Sequence, residues 1–160
     1  MELNFLAILV AALSTMVIGA VWYNPKVFGT MWMNETGMTQ EKAKNSNMMK
    51  IFGMSIFFAL MIAFVLQFAV VHQFGPFGLI DGDITTAKPS YEAFMADYGH
   101  VHRTFTHGMT HGFMMGLFMA LPVVGTNALF ERKSWRYIFI NSGYWIVCFM
   151  IMGGIICAWE

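Results

Sequence analysis

Four long apolar runs, separated by three polar stretches, constrain this chain more than any motif in it. About 20 apolar residues at a rise of about 1.5 Å cross the ~30 Å hydrocarbon core of a bilayer, and each run is close to that length. Leu3 to Val21 carries no charge, and its polar residues are Asn4, Ser14 and Thr15. Ile51 to Val71 is interrupted by Ser55 and Gln67. Gly108 to Phe130 has His111 as its one ionisable group, and Tyr137 to Trp159 carries no charge. The expected fold class is all-α: an integral membrane bundle of four transmembrane helices, with short interfacial helices in the first and second loops. A single membrane domain fills residues 1–160, with spans near 3–22, 51–72, 107–130 and 137–159 and an outer loop near 75–106. Charged residues make up 11% of the chain, against about 25% in soluble domains, and that deficit fits lipid as the main solvent. Nine basic and nine acidic residues cancel, so nothing in the charge balance points to nucleic acid.

The loops differ in basic residues. Lys26, Lys42, Lys44 and Lys50 lie in the first, and Arg132, Lys133 and Arg136 in the third, while the second holds only Lys88 and Arg103. The positive-inside rule puts the first and third loops in the cytoplasm. Both termini and the second loop then face outward, in a membrane expected to be the bacterial cytoplasmic membrane. Trp22, Tyr23, Trp32, Trp135, Tyr137 and Trp159 mark the span ends as an aromatic belt would. The first run lacks a basic n-region and a small-residue cleavage site, so it reads as a span and not as a signal peptide. Cys148 and Cys157 are nine residues apart, half a turn out of phase at about 100° per residue, and read as small apolar fillers.

Within the loops, Pro25 ends the first span, and Val27 to Met33 can lie along the interface. Thr39 is an expected N-cap for a helix that runs on toward the second span. Gly75-Pro76-Phe77-Gly78 reads as a breaker cluster. Ser90 is an expected cap for a short helix whose Tyr91, Phe94, Met95 and Tyr98 form one apolar stripe ending at Gly99. In the third span Gly108, Gly112, Gly116 and Ala120 recur every four residues, a spacing that lets another helix approach closely. Ala7, Ala11, Thr15 and Gly19 repeat it in the first span, so the expectation is that the first and third spans pack together, within one chain or between copies in a homo-oligomer. Pro122 is expected to bend the third span.

Four segments taken together carry a resemblance. They are Gly19-Ala-Val-Trp22-Tyr23-Asn-Pro25 with Phe28-Gly29 and Trp32-Met33; the glycine-rich third span; Phe130-Glu131-Arg132-Lys133-Ser-Trp135-Arg136; and Asn141-Ser-Gly143-Tyr144-Trp145 with Met152-Gly153. Over almost its whole length the chain resembles the short bacterial membrane proteins grouped as domain of unknown function 1761. The resemblance implies four helices and no assigned activity or catalytic residue. The histidines are not part of the shared pattern.

Those histidines are the one constellation with chemistry. His72, His100, His102, His107 and His111 all fall at or near the outer face. His107 and His111, at i and i+4, project from one helix face and suit two ligands on one ion. His102 and His100 are candidates for further ligands, as are the carboxylates of Asp97 and Glu92. Zinc or copper fits the imidazoles, and Met109, Met114, Met115 and Met119 in the same span lean toward copper. The competing bland account is that interfacial histidines face water, and that sixteen methionines put one near any histidine. On the i, i+4 argument, His111→Ala is expected to weaken binding more than His72→Ala. Gln67, Asn127 and Asn141 read as interhelical hydrogen-bonding groups, and the Glu131 to Arg136 turn as a topology anchor for anionic headgroups. From sequence, the leading function is a non-enzymatic membrane protein acting by helix packing. Metal binding or small-solute transport through the histidines comes second, and a membrane metalloenzyme third.

Overall fold

A computed structural model describes residues 3–160. They form nine α-helices: α1 (Phe5–Trp22), α2 (Gly29–Thr36), α3 (Gln40–Lys44), α4 (Met48–Val70), α5 (Phe74–Leu79), α6 (Pro89–Tyr98), α7 (Phe105–Met115), α8 (Leu121–Phe130) and α9 (Trp135–Ala158). A short 3₁₀ turn spans Ile84–Thr86, and a wide π turn, Gly116–Ala120, joins α7 to α8. No strand occurs among the described residues. Four helices are long and apolar enough to cross a membrane: α1, α4, the continuous Phe105–Phe130 and α9. The bundle is all-α, as the hydropathy pattern requires.

Each span opens on a polar cap. Asn4 accepts from the Ala7 N–H at 2.9 Å, Asn47 from Lys50 at 3.0 Å, Thr104 from His107 at 3.3 Å and Ser134 from Tyr137 at 3.1 Å. Side-chain oxygens thereby satisfy donors that a helix start leaves free. Asn47 also explains a boundary: α3, capped by Thr39, stops at Lys44 and does not run on, and the second span starts afresh at Met48. The Gly75–Gly78 cluster is helical, because Pro76 falls in the first turn of α5, where no N–H is required. Lys88, not Ser90, occupies the N-cap position of α6, with Pro89 as first residue. Pro122 follows the π turn, which gives its ring room that a regular turn would deny.

The spans are not equivalent. α9 is central: it packs against α1, α4, α7, α8 and α2, and its buried residues, among them Ile138, Ser142, Cys148, Met152 and Cys157, lie all around its circumference. The glycine face of the third span meets this helix. A Cβ on Gly108 would lie 2.1 Å from the Gly153 carbonyl oxygen, one on Gly112 2.1 Å from that of Phe149, and one on Gly116 2.7 Å from Ile146 Cα. The expected partnership of first and third spans is thus replaced by one between third and fourth, made reciprocal by Gly153, whose own Cβ position lies 2.5 Å from the Gly108 oxygen. Ala7, Ala11 and Thr15 are buried in α1, which packs on α4 and α9. Tyr144 closes over the end of that series, with its ring 3.6 Å from a Cβ on Gly19. Ala120 is half-buried in the π turn.

The first and third loops share one end of the bundle, where Ser134 donates to Glu35 and Arg136 pairs with the same carboxylate at 3.6 Å. The second loop and the C-terminus share the other: Arg103 donates to the Trp159 carbonyl, and His100 lies 3.2 Å from Glu160.

Candidate metal centre

Three histidines meet at the second-loop end. His72 follows the last turn of α4, just beyond the extended cap residue Val71. His107 and His111 stand one turn apart on α7. One ligand nitrogen from each of the three lies within 4.8 Å of the others. His72 Nε2 and His107 Nε2 are 2.8 Å apart, so one donates while the other accepts, which requires at least one neutral ring.

These distances fit an ion. Zinc binds imidazole nitrogen at about 2.0–2.1 Å, which places tetrahedral ligand nitrogens about 3.3 Å apart. The 2.8 Å His72–His107 contact lies below that value and the 4.8 Å limit on the trio above it, so small side-chain movements suffice to bring the three nitrogens to one point. His72 is exposed, and His107 and His111 are half-buried.

The neighbourhood is built to hold these groups in place. Buried Gln73, next to His72, donates to the carbonyls of Tyr98 at 3.1 Å and Val101 at 2.9 Å, tying the second loop to the end of α4. Cys157 Sγ contacts the carbonyls of Val70 and His102, both at 3.3 Å. His102 itself has φ +65°, a conformation that costs a non-glycine residue energy and persists where its surroundings impose it.

The four histidines expected from sequence divide here. His107 and His111 converge. His102 stacks on His107, with ring centroids 4.7 Å apart and planes at 15°, but its nitrogen is outside the tight trio. His100 turns away to Glu160. Asp97 and Glu92 are not among the gathered groups. Met114 and Met119 are exposed on α7 and the π turn. His72 is the residue that sequence reasoning underrated. Its ring centroid lies 4.8 Å from that of His111 and 5.0 Å from that of His107, so the geometry no longer ranks His111 above it. The available signal was topological: the end of the second span and the start of the third lie at the same depth.

The residues of the family pattern gather at the opposite end. Trp22 Nε1 donates to the Ile140 carbonyl at 3.0 Å. Tyr23 donates to Asn141 at 3.3 Å, and Asn141 in turn donates to the Tyr137 carbonyl at 2.8 Å. Tyr144 donates to the Thr15 carbonyl at 3.1 Å. Gly143 makes room for the Trp22 indole, since a Cβ there would lie 2.9 Å from the ring. The Pro25 carbonyl accepts from Thr30. Phe130 is exposed, and Glu131 and Arg132 form the tight turn into α9, Arg132 at φ +56°. This end is a clasp between α1 and α9, with no gathering of potential metal ligands among the described residues.

No curated protein and no solved structure matches the chain. The family described as protein of unknown function (DUF1761) matches residues 6–157. That match takes in all four spans, the clasp and the trio, so the chain belongs to this family of unknown function.

Proposed function

We propose that this is a metal-binding membrane protein, in which His72, His107 and His111 hold one zinc or copper ion at the outer membrane surface. The observation that carries the reading is the convergence of three imidazole nitrogens from two spans within 4.8 Å. The His72–His107 hydrogen bond accounts for one contact, and a shared ion accounts for all three nitrogens turning to one point. Helix packing, the leading function from sequence, loses its main support: the small-residue face is occupied by α9 of the same chain, so a homo-oligomer or membrane partner would have to use another surface. The outward orientation rests on the basic residues of the first and third loops, which share the end opposite the histidines. The ion would then be taken from outside the bacterial cytoplasmic membrane.

The test uses detergent-purified protein stripped of metal and titrated with Zn²⁺ and with Cu⁺. One ion per chain is expected. His72→Ala and His111→Ala should each weaken binding at least tenfold, because both remove a ligand from the same trio, while His100→Ala should leave it unchanged. Binding no tighter than that of a denatured control would overturn the proposal.

A further inference from the structure

The trio leaves a tetrahedral ion one ligand short, and a fourth imidazole stands beside it. A ring nitrogen about 2.0–2.1 Å from an ion puts the ring centroid about 3.1 Å away, so four imidazoles around one tetrahedral ion have centroids about 5 Å apart. Around this site the centroids of His72 and His107 are 5.0 Å apart, His72 and His111 4.8 Å, His107 and His111 4.6 Å, and His102 and His107 4.7 Å. His72 and His102 are wider, at 6.4 Å, so His102 adjoins the trio through His107. Three rings are already spaced much as an ion-bound set requires, and the fourth, stacked on His107, has to swing inward to join them.

The backbone beneath His102 is fixed. Its left-handed conformation is held by its carbonyl, which accepts from the Thr104 N–H at 2.9 Å and meets Cys157 Sγ. The side chain is exposed and free to rotate about its own bonds. A fixed root and a free ring suit a ligand that swings onto an ion already held by three others.

Building on the proposed metal site, we infer that His102 is its fourth ligand, and that the site takes a borderline divalent ion of the zinc class in a closed shell of four neutral nitrogens. Soft Cu⁺ favours sulfur donors; no cysteine is part of the gathered ligand group, and Met114 and Met119 are exposed on the third span. A closed shell leaves no position for a metal-bound water, the feature that separates catalytic from non-catalytic zinc sites. The site therefore holds and releases an ion and does not hydrolyse a substrate. The exposed His102 ring is the ligand that leaves first when the ion is handed on.

Co²⁺ serves as the probe, because four-coordinate Co²⁺ absorbs far more strongly in the visible than five- or six-coordinate Co²⁺. The variant is His102→Gly, which keeps the positive φ and removes the imidazole. Wild-type protein should bind one Co²⁺ with an intense spectrum that added azide does not alter. His102→Gly should bind with a weaker spectrum that azide perturbs, and free imidazole should restore the wild-type bands. Loss of binding in the variant that free imidazole reverses also supports the inference; loss that it does not reverse overturns it. An unchanged spectrum in His102→Gly, or a wild-type spectrum sensitive to azide, shows an open three-histidine site and overturns the fourth ligand alone. Failure of the wild-type protein to bind Co²⁺ overturns the metal reading with it.

Discussion

Gly112→Ala isolates the packing that sets the third span against the fourth. The added Cβ would lie 2.1 Å from the Phe149 carbonyl oxygen, 2.6 Å from its carbon and 2.9 Å from Met150 Cα. All three are backbone atoms, so no rotamer change relieves the overlap. Carbon and carbonyl oxygen settle at about 3.3 Å, so α7 and α9 must separate by about 1.2 Å along this contact. Overpacking of this kind costs about 1–3 kcal/mol, with backbone obstacles at the upper end, while the helix preference of alanine over glycine returns up to about 1 kcal/mol. A net loss of about 2 kcal/mol lowers Tm by about 4–8 °C in a chain of this length. Gly53→Ala supplies the control, because its Cβ meets nothing within 4 Å and it should be neutral or slightly stabilising. Gly125→Ala, at 3.8 Å from Ile138, should behave likewise. Thermal unfolding of the three variants in one detergent, followed by intrinsic tryptophan fluorescence, reads the difference. Equal Tm for Gly112→Ala and Gly53→Ala would refute the close approach of α7 and α9.

Three further outcomes are expected. Gly143→Ala should lower stability by about 1–2 kcal/mol, since the Trp22 ring it displaces is tied to the Ile140 carbonyl; Trp22→Phe, which loses that hydrogen bond and part of the ring packed on Gly143, should cost about 2 kcal/mol or more in the same melt. A reporter fused after Glu160 should behave as periplasmic and one placed among residues 39–50 as cytoplasmic, and the opposite pattern would move the histidines to the inner face. Protons compete with the ion for the imidazole lone pairs, so affinity measured at about pH 5.5 should fall at least about tenfold below that at about pH 7.5.

The four spans were legible because lipid leaves the backbone no partner except itself, so length and hydropathy suffice to define them. Their boundaries were less so. Asn47 lies four residues before the apolar run that marks the second span, and only its hydrogen bond to the Lys50 N–H identifies it as the cap. The small-residue series of the third span was visible, but its partner was not. Spacing tells which face can be approached, and the approaching helix is chosen by shape. The matching series in α1 pointed the wrong way, while the Gly153-Gly154 pair begins no comparable four-step series, and Gly153 meets Gly108 only in space. The histidine trio was half legible. Spacing of i and i+4 paired His107 with His111, whereas His72 is separated from them by the whole second loop. Its approach depends on how that loop folds back, which Gln73 fixes with two hydrogen bonds to distant carbonyls.

One turn of α9 organises everything at the histidine end. Gly153 sets the depth of Gly108, and so of His107 beside it. Cys157 touches the Val70 carbonyl, two residues before His72, and the His102 carbonyl. A Cβ on Gly108 would meet Cys157 Cβ at 2.5 Å, so the same cysteine also limits how α7 sits. Just beyond, Trp159 and Glu160 hold Arg103, the neighbour of His102. Each segment that carries an imidazole is therefore positioned against residues 153–160. Gathering loose ligands onto an ion costs conformational entropy at the moment of binding; here that ordering is achieved when the bundle folds. Under the proposed metal reading, affinity is expected to depend on α9 as much as on the ligands. For the same reason the Gly112→Ala variant, which replaces no histidine, should weaken metal binding as well as stability: it shifts α7, and with it His111, by about the distance the helices separate.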